Sequence, residues 1–295
     1  MKQWLRNTSV LRGLNSLTKF PSIPTLHAMG QRGKLGTALT VEGTTVSSSW
    51  ASSWVTTEKV DGTNARALLF PDGSFLFGSR EELLWYSEDV VHNPAGHVVE
   101  TLQGTFEVMG TESEIVSEIV LRDLSGLVAL YFEVYGHAVG KAASQYAGAS
   151  GLRDAVIIDA AFWPGHSWLR KVCDESLDEI ARDREAGGTP FLPWASVLSL
   201  AGSRSLGVAP ELAAPPLGDR SHESLLRHLG SMAPSRVLID PDAPGKPEGV
   251  VLRATHGNVD GTSPVVRVKL RREDYERAAR VETRRIPRAT THDDG

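Results

Sequence analysis

The segment Glu58-Lys59-Val60-Asp61-Gly62-Thr63-Asn64 places a lysine where a strand-like stretch ends, beside an Asp-Gly turn that starts the next one. A lysine amine is a nucleophile only when neutral. With a reference pKa near 10.4, about one side chain in a thousand is neutral near pH 7.4, a deficit of roughly 4 kcal/mol. Cationic neighbours, a bound metal or partial burial lower that pKa. A chain that works through Lys59 must therefore bring cations to it from distant segments. Taken alone, a lysine before Asp-Gly is an ordinary surface residue ahead of a hairpin.

Later segments supply such a set. Arg80 closes FGSR, Glu133 lies in YFEVYG, Glu248 in PEGVVLR, and Arg267 and Lys269 in VVRVKL. Each alone reads as a strand-edge charge facing water. Together they put carboxylates and cations on short β segments beside apolar anchors, which is the composition adenylyl transfer requires. A triphosphate and a pentavalent phosphorus need cations that hold charge and aim pyrophosphate in line with the amine, which suits Arg267 and Lys269. A divalent cation needs hard oxygen ligands, and Glu248 can supply one directly or through water. Ribose hydroxyls need an acceptor, a role open to Glu133, and Arg80 can hold a phosphate or the donor end by a bidentate contact.

In order and spacing, EKVDGTN, GSR, YFEVYG, PEGVVLR and VRVKL resemble the collinear motifs of the covalent nucleotidyltransferases, the superfamily of ATP-dependent DNA ligases, RNA ligases and mRNA capping enzymes. The resemblance spans Lys59 to Lys269. DNA ligases and capping enzymes usually carry arginine two residues after the glycine of the first motif. Asn64 stands there, and Gly62-Thr63-Asn64 is similar to the phage-type and RNA-editing RNA ligases. The resemblance implies Lys59 as nucleophile and site of a lysyl-AMP, with Lys269 at the phosphates and also catalytic. It implies Glu58, Asn64, Arg80 and Glu133 as nucleotide contacts, Glu248 near the metal, and ATP with Mg2+ or Mn2+ as cofactors. The chain departs from the pattern twice. Where relatives offer an aromatic residue before an acid to stack on adenine, it has Ile158 before Asp159, so Phe162 or Trp163 is the substitute, Phe162 being the candidate contact. The final motif starts with Arg267 where many relatives have lysine. Arginine holds phosphate but does not readily shed its proton, so its expected role is binding.

The implied activity is ATP-dependent joining of 5′-phosphate and 3′-hydroxyl ends, with RNA as the expected partner or else DNA or an RNA/DNA nicked duplex. The alternatives are a DNA nick ligase with the same first step and a catalytically silent nucleotide- or nucleic-acid-binding module. The stretch after Lys269 is shorter than the oligonucleotide-binding barrel that DNA ligases and capping enzymes usually append, which favours an RNA ligase. The resemblance says nothing of oligomeric state.

The elements that must position these residues are legible as pattern. Trp54 to Phe77 alternates like consecutive antiparallel strands, with turns at Asp61-Gly62 and Pro71-Asp72-Gly73. GLVALYFEVYG (126–136) and DAVIIDAAFW (154–163) read as buried strands, as do GVVLRAT and PVVRVKL. Leu169, Val172, Cys173, Leu177 and Ile180 recur at helical spacing, and Ser221 is the expected N-cap of a helix over SHESLLRHLGSM. The expected fold is α+β: two mainly antiparallel sheets flank an ATP cleft, nucleotidyltransferase or ATP-grasp-like, with helices outside. Residues 1–50, with Pro21 and Pro24 opposing helix, are expected as a lead-in that docks on the core. Residues 51–270 are the expected adenylyltransferase domain, with a helical insert at about 165–235, and 271–295 form a basic tail.

The charge of −5 and a hydrophobic content of 41% decide little, since nucleic-acid enzymes often gather cations on one face. The arginines from Arg267 to Arg288 are such a cluster, or else a solvated helical face. Cys173 has no partner for an internal disulfide and reads as packing. The paired histidines His92/His97 and His222/His228 read as solvated or capping. The start has no leader-like apolar run and no stretch is long enough for a membrane span, so the expectation is a soluble cytoplasmic protein with no membrane partner.

Overall fold

The computed structural model describes residues 7–31, 34–40, 54–72, 74–86, 89–90, 97–108, 126–202, 206–215, 219–254 and 266–285. The chain start, Gly73, His92, Arg288 and the tail beyond 285 lie outside the described residues.

The strands are β1 (His27–Met29), β2 (Leu35–Leu39), β3 (Trp54–Lys59), β4 (Thr63–Leu69), β5 (Phe75–Ser79), β6 (Leu83–Tyr86), β7 (Asp89–Val90), β8 (Gly126–Gly136), β9 (Arg153–Pro164), β10 (Gly249–Ala254) and β11 (Arg267–Arg271). They form a pair β1-β2, a three-stranded sheet β11-β10-β3 and a six-stranded sheet β7-β6-β5-β4-β8-β9, with every neighbour antiparallel. The two antiparallel sheets with helices outside are the architecture expected from the sequence.

Period-two alternation decides which way each side chain goes. In β8, Val128, Leu130, Phe132 and Val134 enter a core with Ala65, Ala67, Phe77 and Ile157, covered by the helices Val98–Val108 and Trp194–Gly202. The opposite face presents Leu127, Ala129 and Tyr131 to a second core, where Val10, Leu14 and Leu17 of the helix Thr8–Thr18 meet Trp168, Val172 and Ile180. Both faces of this sheet are buried, which is why β8 and β9 read as near-continuous apolar runs. On the smaller sheet, Val250, Leu252, Val268 and Leu270 point to a third core with Leu225, Leu229 and Tyr275 from the helices His222–Ser231 and Arg272–Arg285.

Four local expectations change. Residues on either side of Asp61-Gly62 do not form a hairpin: β3 pairs with β10, and β4 with β5 and β8. The chain crosses from one sheet to the other because Val60 is buried, the Asp61 amide donates to the Tyr146 hydroxyl (2.9 Å) and the Gly62 amide donates to Glu133 Oε1 (3.1 Å). A Cβ on Gly62 would stand 2.1 Å from the Val134 carbonyl oxygen, so only glycine lets the strands approach there. The periodic stretch 169–180 is two helices, Ser167–Asp174 and Leu177–Asp183. Ser176 starts the second one with a capping box closed by Glu179, which interrupts the first. Cys173 is exposed, whereas His222 is buried and bonded through Nε2 to the Gly36 carbonyl (2.9 Å). Ser221 caps its helix as expected, accepting from the Ser224 amide. Among the described residues no helix is long and apolar enough to cross a membrane.

Candidate active site

The three-stranded sheet has a charged face because its register stacks like positions. β3, β10 and β11 align Lys59–Gly249–Arg271, then Thr57–Val251–Lys269, then Val55–Arg253–Arg267, all on the side away from the third core. The same alternation that sends Val250, Leu252, Val268 and Leu270 inward sends Arg267, Lys269 and Arg271 outward. A Cβ at Gly249, between Lys59 and Arg271, would sit 1.9 Å from the Leu270 carbonyl oxygen. This bare position leaves the lysine and arginine on either side with no side chain between them.

Facing this surface across a cleft of about 430 Å³ are Thr63 and Asn64 of β4, Glu133 of β8 and Ile158 of β9. The cleft therefore lies between the two sheets, and the crossing Val60-Asp61-Gly62 forms its end. The Lys59 ammonium is ion-paired with Glu248 Oε2. Glu248 is held at the other side by its backbone, its amide donating to the Lys59 carbonyl (3.2 Å) and its carbonyl accepting from Arg272 (2.8 Å). Its second oxygen is 4.0 Å from Arg271 Nε.

Glu133 titrates high, pushed up to about 7 by burial, with Glu248 adding to the rise while Lys59 and the Gly62 amide oppose it. The Lys269 ammonium is held below the ordinary lysine range, first by burial and then by Lys59 and Arg271. Lys269 and Arg271 thus stand beside Lys59 in the cleft. Asp61, Glu133 and Glu248 all line this end, and carboxylates are hard ligands of the kind a divalent cation takes alongside phosphate and water. Among the described residues no cluster of three or more potential metal ligands stands ready by itself.

Of the residues singled out in the sequence, Lys59, Asn64, Arg80, Glu133, Glu248 and Lys269 line this one cleft. Asn64 donates to the Phe132 carbonyl (3.4 Å), and Arg80 stands at the rim, 63% exposed. Glu58 also borders the cleft, but its carboxylate is buried and accepts from the Ser235 hydroxyl and the Arg236 amide (2.9 Å), fixing the loop behind β3.

Phe162 and Arg267 stand elsewhere. Phe162 packs on the first core, next to Gly126, and Trp163 is buried in the second. Both lie one full turn of the strand pleat or more beyond Ile158, the residue of β9 that reaches the cleft. Arg267 is drawn below the floor into a bidentate pair with Asp159 (2.7 and 3.2 Å), its guanidinium 3.6 Å from the Phe191 ring centroid. The Arg267 departure thus meets, in one buried contact, the acid that follows Ile158.

Three lining residues were not anticipated. Arg271 follows Lys269 by two along β11, a signal present in the alternation but read as the start of the tail. Arg253 is buried, donates to Thr57 Oγ1 and the Ile158 carbonyl (2.6 Å), and stacks 4.7 Å over Trp194. Phe20 comes from the lead-in, and no local pattern announced it.

Comparison with known proteins gives the following. The family model described as RNA ligase matches residues 52–271. No curated protein matches. Among solved structures, the Naegleria gruberi RNA ligase with PPi is 15% identical with a TM-score of 0.45, covering 78% of this chain and 52% of that one. A mutant of that ligase with ATP and Mn is 15% identical with a TM-score of 0.46, covering 76% and 51%. The chain spans about half the length of these structures.

Proposed function

This chain belongs to the RNA ligase family, and on that premise we propose that it is an ATP-dependent RNA ligase in which Lys59 carries AMP between ATP and a 5′-phosphate end. The observation that carries the proposal is the meeting of Lys59 with Glu133, Glu248, Lys269 and Arg271 in one cleft, from strands of two different sheets and the residue just before β10.

In the first step the Lys59 amine attacks the α-phosphorus of ATP. A nitrogen–phosphorus bond forms, the bond to the β-phosphate oxygen breaks, pyrophosphate leaves and the amine gives up a proton. Arg271, on the nucleophile's own row, and Lys269, on the next, hold the phosphates and offset their growing charge. Glu133 accepts from the ribose, placed by the Gly62 amide that also fixes the turn after Lys59. Glu248 must release the Lys59 ammonium before the amine can react, and its carboxylate would be the residue to hold a divalent cation in place of that ammonium. Bound there with Glu248, Mg2+ or Mn2+ would neutralise phosphate oxygens as a Lewis acid. In the second step an oxygen of the 5′-phosphate displaces Lys59 from AMP, restoring the amine. In the third, the 3′-hydroxyl attacks that phosphate and AMP departs. Arg80, exposed at the rim, would hold the incoming end.

Incubation with α-labelled ATP and Mg2+ tests the first step. The parent protein is expected to carry a label that survives SDS and Lys59→Ala none. An unlabelled parent protein would reduce the chain to a silent binding module. Sealing of matched nicks with RNA or DNA at the 3′-hydroxyl then separates an RNA ligase from a DNA nick ligase.

A further inference from the structure

The segment Phe20–Ile23 lines the same cleft, and it is tied to both sheets. At its start Lys19 is ion-paired with Glu81 (2.8 Å), the neighbour of Arg80 after β5. In its middle the Ser22 amide donates to Glu185 (3.2 Å). At its end both backbone groups of Lys269 are engaged: its amide donates to the Pro24 carbonyl (2.9 Å) and its carbonyl accepts from Leu26 (3.0 Å). Pro21 and Pro24 keep the segment extended and remove two amide donors that would otherwise need partners. The strap therefore runs from beside Arg80 on the larger sheet to Lys269 on the smaller one, and its fixed course forms a wall between those two cations.

Its side chains are of another kind from the rest of the lining. Phe20 packs on Tyr131 (centroids 4.9 Å, tilted) and on Phe191 (5.8 Å, edge on), which hold the ring in place. With Ile23, Ile158 and Val251 it adds apolar lining to a cleft that also holds Lys59, Glu133, Glu248, Lys269 and three arginines. A ligand matching both parts has phosphates and a flat apolar ring, and aromatic walls beside phosphate-binding cations are how proteins stack bases. Phe162 and Trp163 do not reach the cleft, so Phe20 is the aromatic ring that lines it among the described residues.

We propose that Phe20 is a nucleobase-stacking residue of this site, supplied by the strap that precedes β3. This rests on the reading of the cleft as a nucleotide site. The base belongs either to ATP or to the terminal nucleotide of the polynucleotide, and binding measured by calorimetry on the Lys59→Ala protein, which cannot turn over, distinguishes them. Phe20→Ala, checked for an unchanged circular dichroism spectrum, is compared with Phe20→Trp. If the base is that of ATP, Phe20→Ala weakens ATP about tenfold or more, Phe20→Trp restores much of it, and inorganic pyrophosphate binds as before. If the base is the polynucleotide's, ATP is unaffected and a 5′-phosphorylated oligonucleotide is weakened, whereas one with an abasic 5′ residue is not. Unchanged binding of both, or equal weakening of pyrophosphate, overturns the assignment. Failure of Lys59 labelling in the parent would overturn the ligase reading and leave these binding results standing by themselves.

Discussion

Replacing Arg267 by methionine separates two roles that a cation in the last motif could have. In the structure it is a buried structural partner: Arg267 is 7% and Asp159 1% exposed, and they are joined by two hydrogen bonds of 2.7 and 3.2 Å. Removing one member of a buried ion pair leaves the other without compensation and costs about 3–5 kcal/mol. The guanidinium over Phe191 at 3.6 Å contributes up to about 2 kcal/mol when desolvated. Arg253 remains 3.6 Å from Asp159 and retains part of the compensation. A net loss near 3 kcal/mol is expected, or roughly 6 °C in melting temperature for a chain of this size. Urea unfolding followed by tryptophan fluorescence reads it directly, alongside ATP binding at a temperature where the variant is folded. The double variant Asp159→Leu/Arg267→Met should lose less than the sum of its singles, because the two charges leave together. The reasoning fails if Arg267→Met unfolds like the parent while its ATP affinity drops, since that result returns Arg267 to the phosphates.

Other outcomes follow from the same geometry. Glu133 has its folded pKa raised from 4.5 to about 7, so the native state holds this proton more tightly than the unfolded chain. Its contribution to stability is complete below pH about 4.5 and is lost as pH rises through 7. Denaturation at pH 5 and pH 8 should show the parent losing more stability than Glu133→Gln over that interval, and parallel pH curves would refute the assignment. Gly62→Ala forces a methyl to 2.1 Å from the Val134 carbonyl oxygen. Thermal unfolding should show a loss of at least about 2 kcal/mol, together with loss of Lys59 labelling as the Gly62–Glu133 hydrogen bond breaks; a variant as stable and as reactive as the parent would show that β4 and β8 have slack there.

Where the sequence was readable and where it was not have physical causes. β8 and β9 were legible because burial on both faces writes a near-continuous apolar run, and β10 and β11 because their apolar residues stand together in short β-rich stretches. Lys59, Glu133, Glu248 and Lys269 were legible because each lies within a short segment whose chemistry is local, and the cleft brings them together. Arg267 was misjudged because its partner Asp159 lies on another strand, and one strand shows only that a charge points to the cleft side, not what meets it there. Phe162 followed from proximity in sequence to Ile158, while the ring that lines the cleft, Phe20, arrives from a segment with no periodic signal. The crossing at Asp61-Gly62 looked like a hairpin because the same two residues satisfy either path. The contacts of Val60, Tyr146 and Glu133 decide between them.

The pairing of Thr25 with Lys269 also bears on how such a molecule is born. During synthesis β3 leaves the ribosome with Lys59 long before its neighbour β10 exists, and the Pro21–Pro24 segment waits longer still for β11. Every part of the larger sheet can form in the meantime, since β4 through β9 are contiguous in the chain. Lys59 therefore stays outside any finished cleft until residue 269 has emerged, so the order of the strands makes the cleft one of the last parts of the molecule to be completed.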